Sequence, residues 1–149
     1  MAAFTVTRER PDRPDVRALL DASDALMTSL FDIAQNHLVE AGELIRQDAV
    51  FLVARADGRA IGCGALLHHD GYGEIKRMFV QEDARGRGVG KQLLLELETW
   101  AEGCSRLRLE TGVRQPGAIA LYRSAGFREI DPFGDYAPNP VSVFMEKRL

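Results

Sequence analysis

The sequence contains no hydrophobic stretch long enough to cross a bilayer, which takes about 20 consecutive apolar residues. Its first ten residues also lack the continuous apolar segment of a secretory signal peptide. Both absences favour a cytoplasmic protein with no membrane partner. No repeat, low-complexity tract or serine- and glycine-rich linker divides the 149 residues, so the length predicts a single domain over residues 1–149.

Cysteine is scarce too, with Cys63 and Cys104 the only two. Each lies in an apolar segment without a second cysteine at a metal-binding or redox spacing, so we expect two reduced core thiols. His37, His68 and His69 show no ligand spacing either, and no metal is predicted. Neither sign of charge dominates, because 19 lysines and arginines stand against 22 acidic residues. The net charge of −3 argues against nucleic acid as the main partner, since such domains usually carry a basic face.

The spacing of apolar residues is helical near the start of the chain and becomes strand-like further on. A short strand at 4–7 precedes a helical stripe from Asp15 to Phe31 and a weaker one over 38–45. Three short apolar segments follow, separated by turns at Asp57-Gly58 and Asp70-Gly71, as in an antiparallel meander. These three strands are predicted over residues 50–54, 60–67 and 74–80.

Helices and strands alternate in the second half. A long helix is expected after a glycine-rich turn, and its buried face is predicted to carry Val89, Leu93, Leu97, Trp100 and Cys104. A further helix is predicted from Pro116 to Ala125, with Gly126 just past its end. Strands are predicted at 107–111, 127–130 and 141–145. The chain is therefore expected to fold as α+β, with a mixed, mostly antiparallel sheet and helices on both faces.

The glycine-rich turn, Arg85-Gly-Arg-Gly-Val-Gly90, is the most informative segment. Such a turn before a helix suits phosphate, because its backbone N–H groups and the helix N-terminus attract anions. A Walker A loop would need serine or threonine at Gln92 and a glycine at Arg85, which disfavours nucleotide hydrolysis. A Rossmann loop would need a glycine at Lys91. The spacing that fits is Arg-x-x-Gly-x-Gly, with Arg85, Gly88 and Gly90.

This spacing resembles that of the GNAT superfamily, the acetyl-CoA-dependent N-acetyltransferases. Two further segments carry the resemblance, Lys76-Arg-Met-Phe-Val80 and Ala120-Leu-Tyr-Arg-Ser-Ala-Gly-Phe127. The resemblance implies the GNAT, or acyl-CoA N-acyltransferase, fold over one domain, 1–149, with acetyl-CoA as co-substrate and the glycine-rich turn on its pyrophosphate. The pyrophosphate contacts that it implies are Arg85, Gly86, Arg87, Gly88, Val89, Gly90 and Lys91.

The resemblance also implies roles at the reacting centre. Tyr122 corresponds to the family's general acid, with its phenol near the cofactor sulfur. The oxyanion and pantetheine contacts correspond to backbone groups of Met78, Phe79 and Val80. Gln115 stands where many relatives carry asparagine, so it joins the expected cofactor contacts with a longer side chain.

Glu74 is the candidate general base, which an amine acceptor requires because a lysine-like amine is mostly protonated near neutral pH. It opens the strand that leads to the glycine-rich turn, and a catalytic glutamate is similarly placed in one branch of the resembled family. Alternatively, Glu74 is a strand-end carboxylate paired with Lys76 or Arg77, and a water relay serves as the base.

The acceptor is expected to be a primary amine of a small molecule or peptide, and its candidate contacts are Phe133, Asp135 and Tyr136. Aromatic rings beside a carboxylate suit a cationic amine. Two rival functions stay open: a non-catalytic acyl-CoA-binding sensor, and an acyltransferase with a longer acyl donor. Retention of Tyr122 and Glu74 favours catalysis over sensing. The sequence names neither the acceptor nor the oligomeric state, and a homodimer is one of the options.

Overall fold

A computed structural model describes residues 3–30 and 40–149. In chain order these residues form β1 (Thr5–Arg8), α1 (Pro14–Leu30), α2 (Ala41–Arg46), β2 (Val50–Ala56), β3 (Arg59–His68), β4 (Tyr72–Val80), a 3₁₀ turn (Glu82–Ala84), α3 (Val89–Thr99), β5 (Arg106–Gly112), α4 (Pro116–Ser124), β6 (Arg128–Ile130) and β7 (Ser142–Arg148). The predicted order of helices and strands is confirmed. Leu38, predicted to start the second helix, lies outside the described residues. No helix in these two ranges is both long and apolar enough to span a membrane.

The strands form one sheet in the order β1-β2-β3-β4-β5-β7-β6. Each neighbouring pair is antiparallel except β4 and β5, which are parallel. Alternate strand residues enter two cores, one on each face. The larger core packs β2, β3 and β4 against α3, and β5 against α4. The smaller core packs β2 and β3 against α1 and α2. The predicted mixed sheet with helices on both faces is therefore confirmed.

Two strands diverge at the centre of this sheet. β4 and β5 pair only from Tyr72 to Ile75 on one strand and from Arg106 to Leu109 on the other. Beyond these residues β4 continues to Val80 and β5 to Gly112 without pairing to each other. The sheet therefore opens between them, on the side where β4 leads into the glycine-rich turn.

The long helix ends earlier than its apolar spacing predicts. α3 stops at Thr99, and Trp100 is 40% exposed with the guanidinium of Arg8 5.1 Å above its ring. The last turn tightens, because the N–H groups of Trp100 and Ala101 bond the carbonyls three residues back, and Gly103 then takes a left-handed backbone conformation at φ +85° before β5 begins. The prediction that Trp100 and Cys104 belong to the buried helix face is therefore wrong. Of the two thiols, Cys63 is fully buried and Cys104 only partly so.

Candidate functional site

The glycine-rich turn joins β4 to α3, and its glycines serve two purposes. Gly86 and Gly88 both have a φ of +81°, and an added Cβ would meet nothing within 4 Å at either position. These two glycines are required for backbone conformation, because other residues are strained in the left-handed region. Gly90 lies within α3, where a Cβ would come 2.9 Å from a methyl carbon of Leu121. Gly90 therefore lets the start of α3 approach α4 closely.

The start of α3 is electrostatically suited to an anion. Its first turn carries no acidic residue, and its N-cap, Gly88, has no side chain to bond the exposed N–H groups. These N–H groups and the positive end of the helix dipole consequently face outward without an internal acceptor. A phosphate could accept hydrogen bonds from them.

A pocket of about 670 Å³ opens beside this turn, a size typical of ligand sites. Its walls come from the turn and α3, from the end of β4, from α4 and from the last two turns of α1. The described residues that line it are Leu26, Met27, Leu30, Met78, Phe79, Val80, Ala84, Arg85, Gly86, Gly88, Val89, Gly90, Lys91, Arg114, Gln115, Gly117, Ala118, Leu121 and Tyr122.

Most of the predicted cofactor contacts meet in this pocket. Met78, Phe79, Val80 and Gln115 line it together with the glycine-rich turn, but Arg87 is not among the described lining residues. The sequence interpretation missed the α1 wall and Arg114, although the apolar stripe of α1 already contained Leu26. Nothing in that stripe distinguishes a residue that lines a pocket from one that packs in the core.

The charged side chains among the described lining residues are all cationic: Arg85, Lys91 and Arg114. Arg85 is held in place because its Nε donates a 3.0 Å hydrogen bond to the Val80 carbonyl, while its guanidinium lies 5.9 Å from the Phe79 ring centre. Two of these cations flank the exposed N–H groups of the turn. This combination fits a diphosphate, which accepts charge-assisted hydrogen bonds from several directions.

Tyr122 brings a proton donor to the same pocket. It lies on α4, is buried, and packs edge-on against Phe127 with ring centres 5.9 Å apart. Within residues 3–30 and 40–149 no group hydrogen-bonds its hydroxyl. Burial raises the pKa of Tyr122 well above the usual value for a phenol, so the hydroxyl is neutral at physiological pH. A neutral phenol on a pocket wall can donate a proton or a hydrogen bond to a ligand.

Glu74 lies apart from this pocket. The neighbouring Ile75 belongs to the core beneath α3, so strand alternation places Glu74 on the opposite face of the sheet. Its carboxylate accepts a 2.6 Å hydrogen bond from the Tyr136 hydroxyl and lies 2.9 Å from His69 Nε2. Lys76 Nζ lies 3.7 Å from the carboxylate and donates to the Tyr136 oxygen at 2.6 Å. We call His69, Glu74, Lys76 and Tyr136 the polar cluster.

The other predicted acceptor contacts lie next to the polar cluster. Phe133 is buried, with the rings of Tyr72, Tyr136 and Phe144 within 6 Å of its own. Asp135 is exposed on the same loop. None of the three predicted acceptor residues is among the described lining residues of the pocket.

His37 lies outside the described residues. Within the described ranges no group of three or more histidine, cysteine or carboxylate side chains is arranged to hold a metal ion.

Comparison with solved structures defines the class of the fold. A structure from Klebsiella pneumoniae, assigned as an acyl-CoA N-acyltransferase, is 38% identical, covers 100% of this chain and 99% of its own, and superimposes with a TM-score of 0.85. A PaiA N-acetyltransferase from Thermoplasma acidophilum, solved in complex with coenzyme A, is 19% identical with a TM-score of 0.72 and covers 99% of both chains. The fold is therefore that of the acyl-CoA N-acyltransferases.

Comparison of sequences places the chain within this class. The model of the acetyltransferase (GNAT) family matches residues 16–127. A relative from Azospirillum brasilense, named IAA acetyltransferase, is 46% identical over 153 residues that cover 100% of both chains. The chain belongs to the acetyltransferase (GNAT) family, and the protein is an N-acetyltransferase. The family predicted from the three sequence segments is confirmed.

Proposed function

We propose that the enzyme transfers the acetyl group of acetyl-CoA directly to a primary amine of a small molecule or peptide in the cytoplasm. One observation carries the proposal: the cationic glycine-rich turn and the buried Tyr122 phenol line the same pocket. A diphosphate bound at the turn and a thioester near the phenol can therefore belong to one ligand. The Met78–Val80 segment of β4 lines the same pocket, and its backbone can bind the pantetheine arm that connects diphosphate and thioester.

The reaction has three steps in which these residues would act: deprotonation of the amine, protonation of the thiolate and stabilisation of the oxyanion. The amine nitrogen attacks the thioester carbon and loses a proton to solvent as the amide forms, and the carbon–sulfur bond breaks to release the coenzyme A thiolate. Tyr122 protonates that thiolate, and solvent restores the phenol's proton after product release. Backbone N–H groups at the end of β4 stabilise the oxyanion, since they are fixed before the reaction begins.

The ammonium form of the acceptor must lose a proton before it attacks, and Glu74 is the base that we assign to this step. Because Glu74 does not line the described pocket, it would act through a water molecule or through the Tyr136 hydroxyl that it binds. Its role therefore differs from that proposed for Tyr122, which itself lines the pocket. A glutamate that acts at a distance should affect the pH dependence of turnover more than its maximum.

The glycines of β3 bear on the choice of acyl donor. A Cβ at Gly64 would lie 2.5 Å from the Met78 sulfur and 3.0 Å from Leu97. At Gly62 it would lie 3.0 Å from Val89 and 3.2 Å from the Phe79 carbonyl oxygen. The space above these glycines is thus filled by side chains and by main chain. This packing favours acetyl over a longer acyl chain directed toward β3.

Purified enzyme incubated with acetyl-CoA and a panel of primary amines tests the proposal. We expect thiol release that depends on the amine, with acetylated amine detected by mass spectrometry in equal amount. Octanoyl-CoA, assayed in parallel, should react far more slowly. Tight acetyl-CoA binding without turnover of any amine would instead identify a sensor, and a preference for octanoyl-CoA would identify a long-chain acyltransferase.

A further inference from the structure

Strand β4 contains a bulge at Arg77, just before the segment that lines the pocket. Arg77 has a φ of +58°, in the left-handed region that non-glycine residues rarely adopt. The pairing register with β3 shifts between Cys63 and Ala65, so two β4 residues oppose Gly64 alone. The Cys63 thiol donates a 3.3 Å hydrogen bond to the Arg77 carbonyl and helps to hold this backbone.

The bulge sends the Arg77 side chain into helix α1. Its Nη1 lies 2.8 Å from Asp24 Oδ1, and its Nη2 donates a 3.1 Å hydrogen bond to the Leu20 carbonyl. The Arg77 side chain is 2% exposed, whereas that of Asp24 is 46% exposed. Neither the buried Arg77 Nε nor Asp24 Oδ1 makes a hydrogen bond to a described residue, so Arg77 and Asp24 are joined by charge at 2.8 Å without an aligned hydrogen bond.

A buried guanidinium with an unpaired nitrogen is not the arrangement that maximises stability. Apolar side chains of similar volume often stabilise such a site as well or better, because they avoid the desolvation of a charge. The strained backbone adds a further cost. Backbone strain of this kind clusters where it fixes a functional geometry, and the contacts of Arg77 show which parts of the fold it joins.

Arg77 connects two walls of the pocket. On β4, the next three residues, Met78 to Val80, line one wall. On α1, the residues just after Asp24 line another, at Leu26, Met27 and Leu30. We propose that Arg77 is a positioning residue, which through Asp24 and the Leu20 carbonyl fixes the distance between the α1 wall and the strand that binds the thioester. The inference rests on the proposed function, since it assumes that acetyl transfer takes place between these walls.

The variant Asp24→Asn tests this role with little risk to folding, because Asp24 is half exposed. We expect kcat at saturating acetyl-CoA and amine to fall about 10- to 100-fold, as misplacement by up to about 1 Å can do. The Kd for coenzyme A should change by roughly threefold at most, because its diphosphate binds at a separate part of the pocket. Amide exchange over residues 25–30 should become faster. Asp24→Glu, which keeps the charge, should recover most of the lost kcat.

Glu9→Gln is the matched control, because Glu9 and Arg55 form another largely buried ion pair at 2.8 Å, away from the pocket. This variant should lose at least as much stability as Asp24→Asn and yet keep wild-type kcat at a temperature where both are folded. The inference is overturned if Asp24→Asn turns over like wild type, or if Glu9→Gln loses as much kcat. A wild-type enzyme that acetylates no amine would overturn the proposed function, and the inference with it. An active wild-type enzyme beside an equally active Asp24→Asn would overturn the inference alone.

Discussion

Replacing Tyr122 with phenylalanine separates catalysis from packing. The ring stays buried against Phe127, and only the hydroxyl is lost. Since no described residue bonds that hydroxyl, its removal leaves no protein group unsatisfied. We therefore expect Tyr122→Phe to unfold in urea within about 0.5 kcal/mol of wild type, as a substitution does when no contact is broken.

Turnover should respond very differently. A positioned general acid contributes roughly 100- to 10,000-fold, which corresponds to about 3–5 kcal/mol of transition-state stabilisation. We expect kcat to fall by that factor with acetyl-CoA and the best acceptor of the amine panel, while the calorimetric Kd for coenzyme A stays unchanged. Because burial raises the pKa of Tyr122, the wild-type rate should show no loss from phenol ionisation up to about pH 9.

Tyr136→Phe gives a comparison at the polar cluster. Its hydroxyl bridges Lys76 and Glu74 through two 2.6 Å hydrogen bonds, so its removal should cost about 1.5–3 kcal/mol of stability. The two variants thus predict different patterns. Tyr122→Phe should lose kcat and keep its stability, whereas Tyr136→Phe should lose stability and change turnover only through the pH dependence that Glu74 sets. Wild-type turnover in Tyr122→Phe, or a loss of kcat accompanied by equal loss of folded protein, would refute the acid role.

Three further predictions concern the turn, an ion pair and the β3 packing. Gly88→Ala should lower the free energy of unfolding by about 1–2 kcal/mol, because Gly88 has a φ of +81°, and should also weaken coenzyme A binding in calorimetry. Gly58→Ala is the control, since Gly58 lies in the hairpin at φ +77°; it should lose similar stability and leave binding intact. A hydrogen bond from Arg55 lowers the pKa of Glu9, so this carboxylate stabilises the fold above its unfolded pKa of about 4.5 and loses that contribution as pH falls through its lower folded pKa. Urea unfolding should show Glu9→Gln least stable relative to wild type near pH 7, with a difference that shrinks as pH falls below about 4.5. Gly64→Ala should lower the melting temperature through overlap with the Met78 sulfur, at a cost of about 1–3 kcal/mol, and an unchanged melting temperature would show that Met78 can move aside.

Short sequence patterns predicted the glycine-rich turn, because its conformation depends on residues that are adjacent in the chain. The spacing of Arg85, Gly88 and Gly90 identified the turn because positive φ and close helix approach restrict which residues fit. The Asp57-Gly58 hairpin and the Pro116 helix start were predicted for similar local reasons.

Features that depend on distant segments were not predictable in this way. The α1 wall forms only when Met27 meets residues more than fifty positions later. Phe133 packs against Tyr72 of β4 and Phe144 of β7 as well as Tyr136 of its own loop, and the partner of Arg77 is Asp24 rather than the neighbouring Glu74. The end of α3 was missed because apolar spacing continued to Cys104, while the helix ends at Thr99 and its last turn tightens at Trp100 and Ala101. Periodicity reports which face is apolar, and backbone conformation decides where the helix ends.

The central claim is that the turn at residues 85–91 binds the diphosphate of coenzyme A. Isothermal calorimetry with coenzyme A and with pantetheine, which lacks the diphosphate and the nucleotide, tests this most directly. We predict one coenzyme A bound per chain, with an affinity that falls as salt is raised, and at least a hundredfold weaker binding of pantetheine, a loss of about 2.7 kcal/mol or more. Absence of heat with coenzyme A, or equal affinity for the two ligands, would contradict the account.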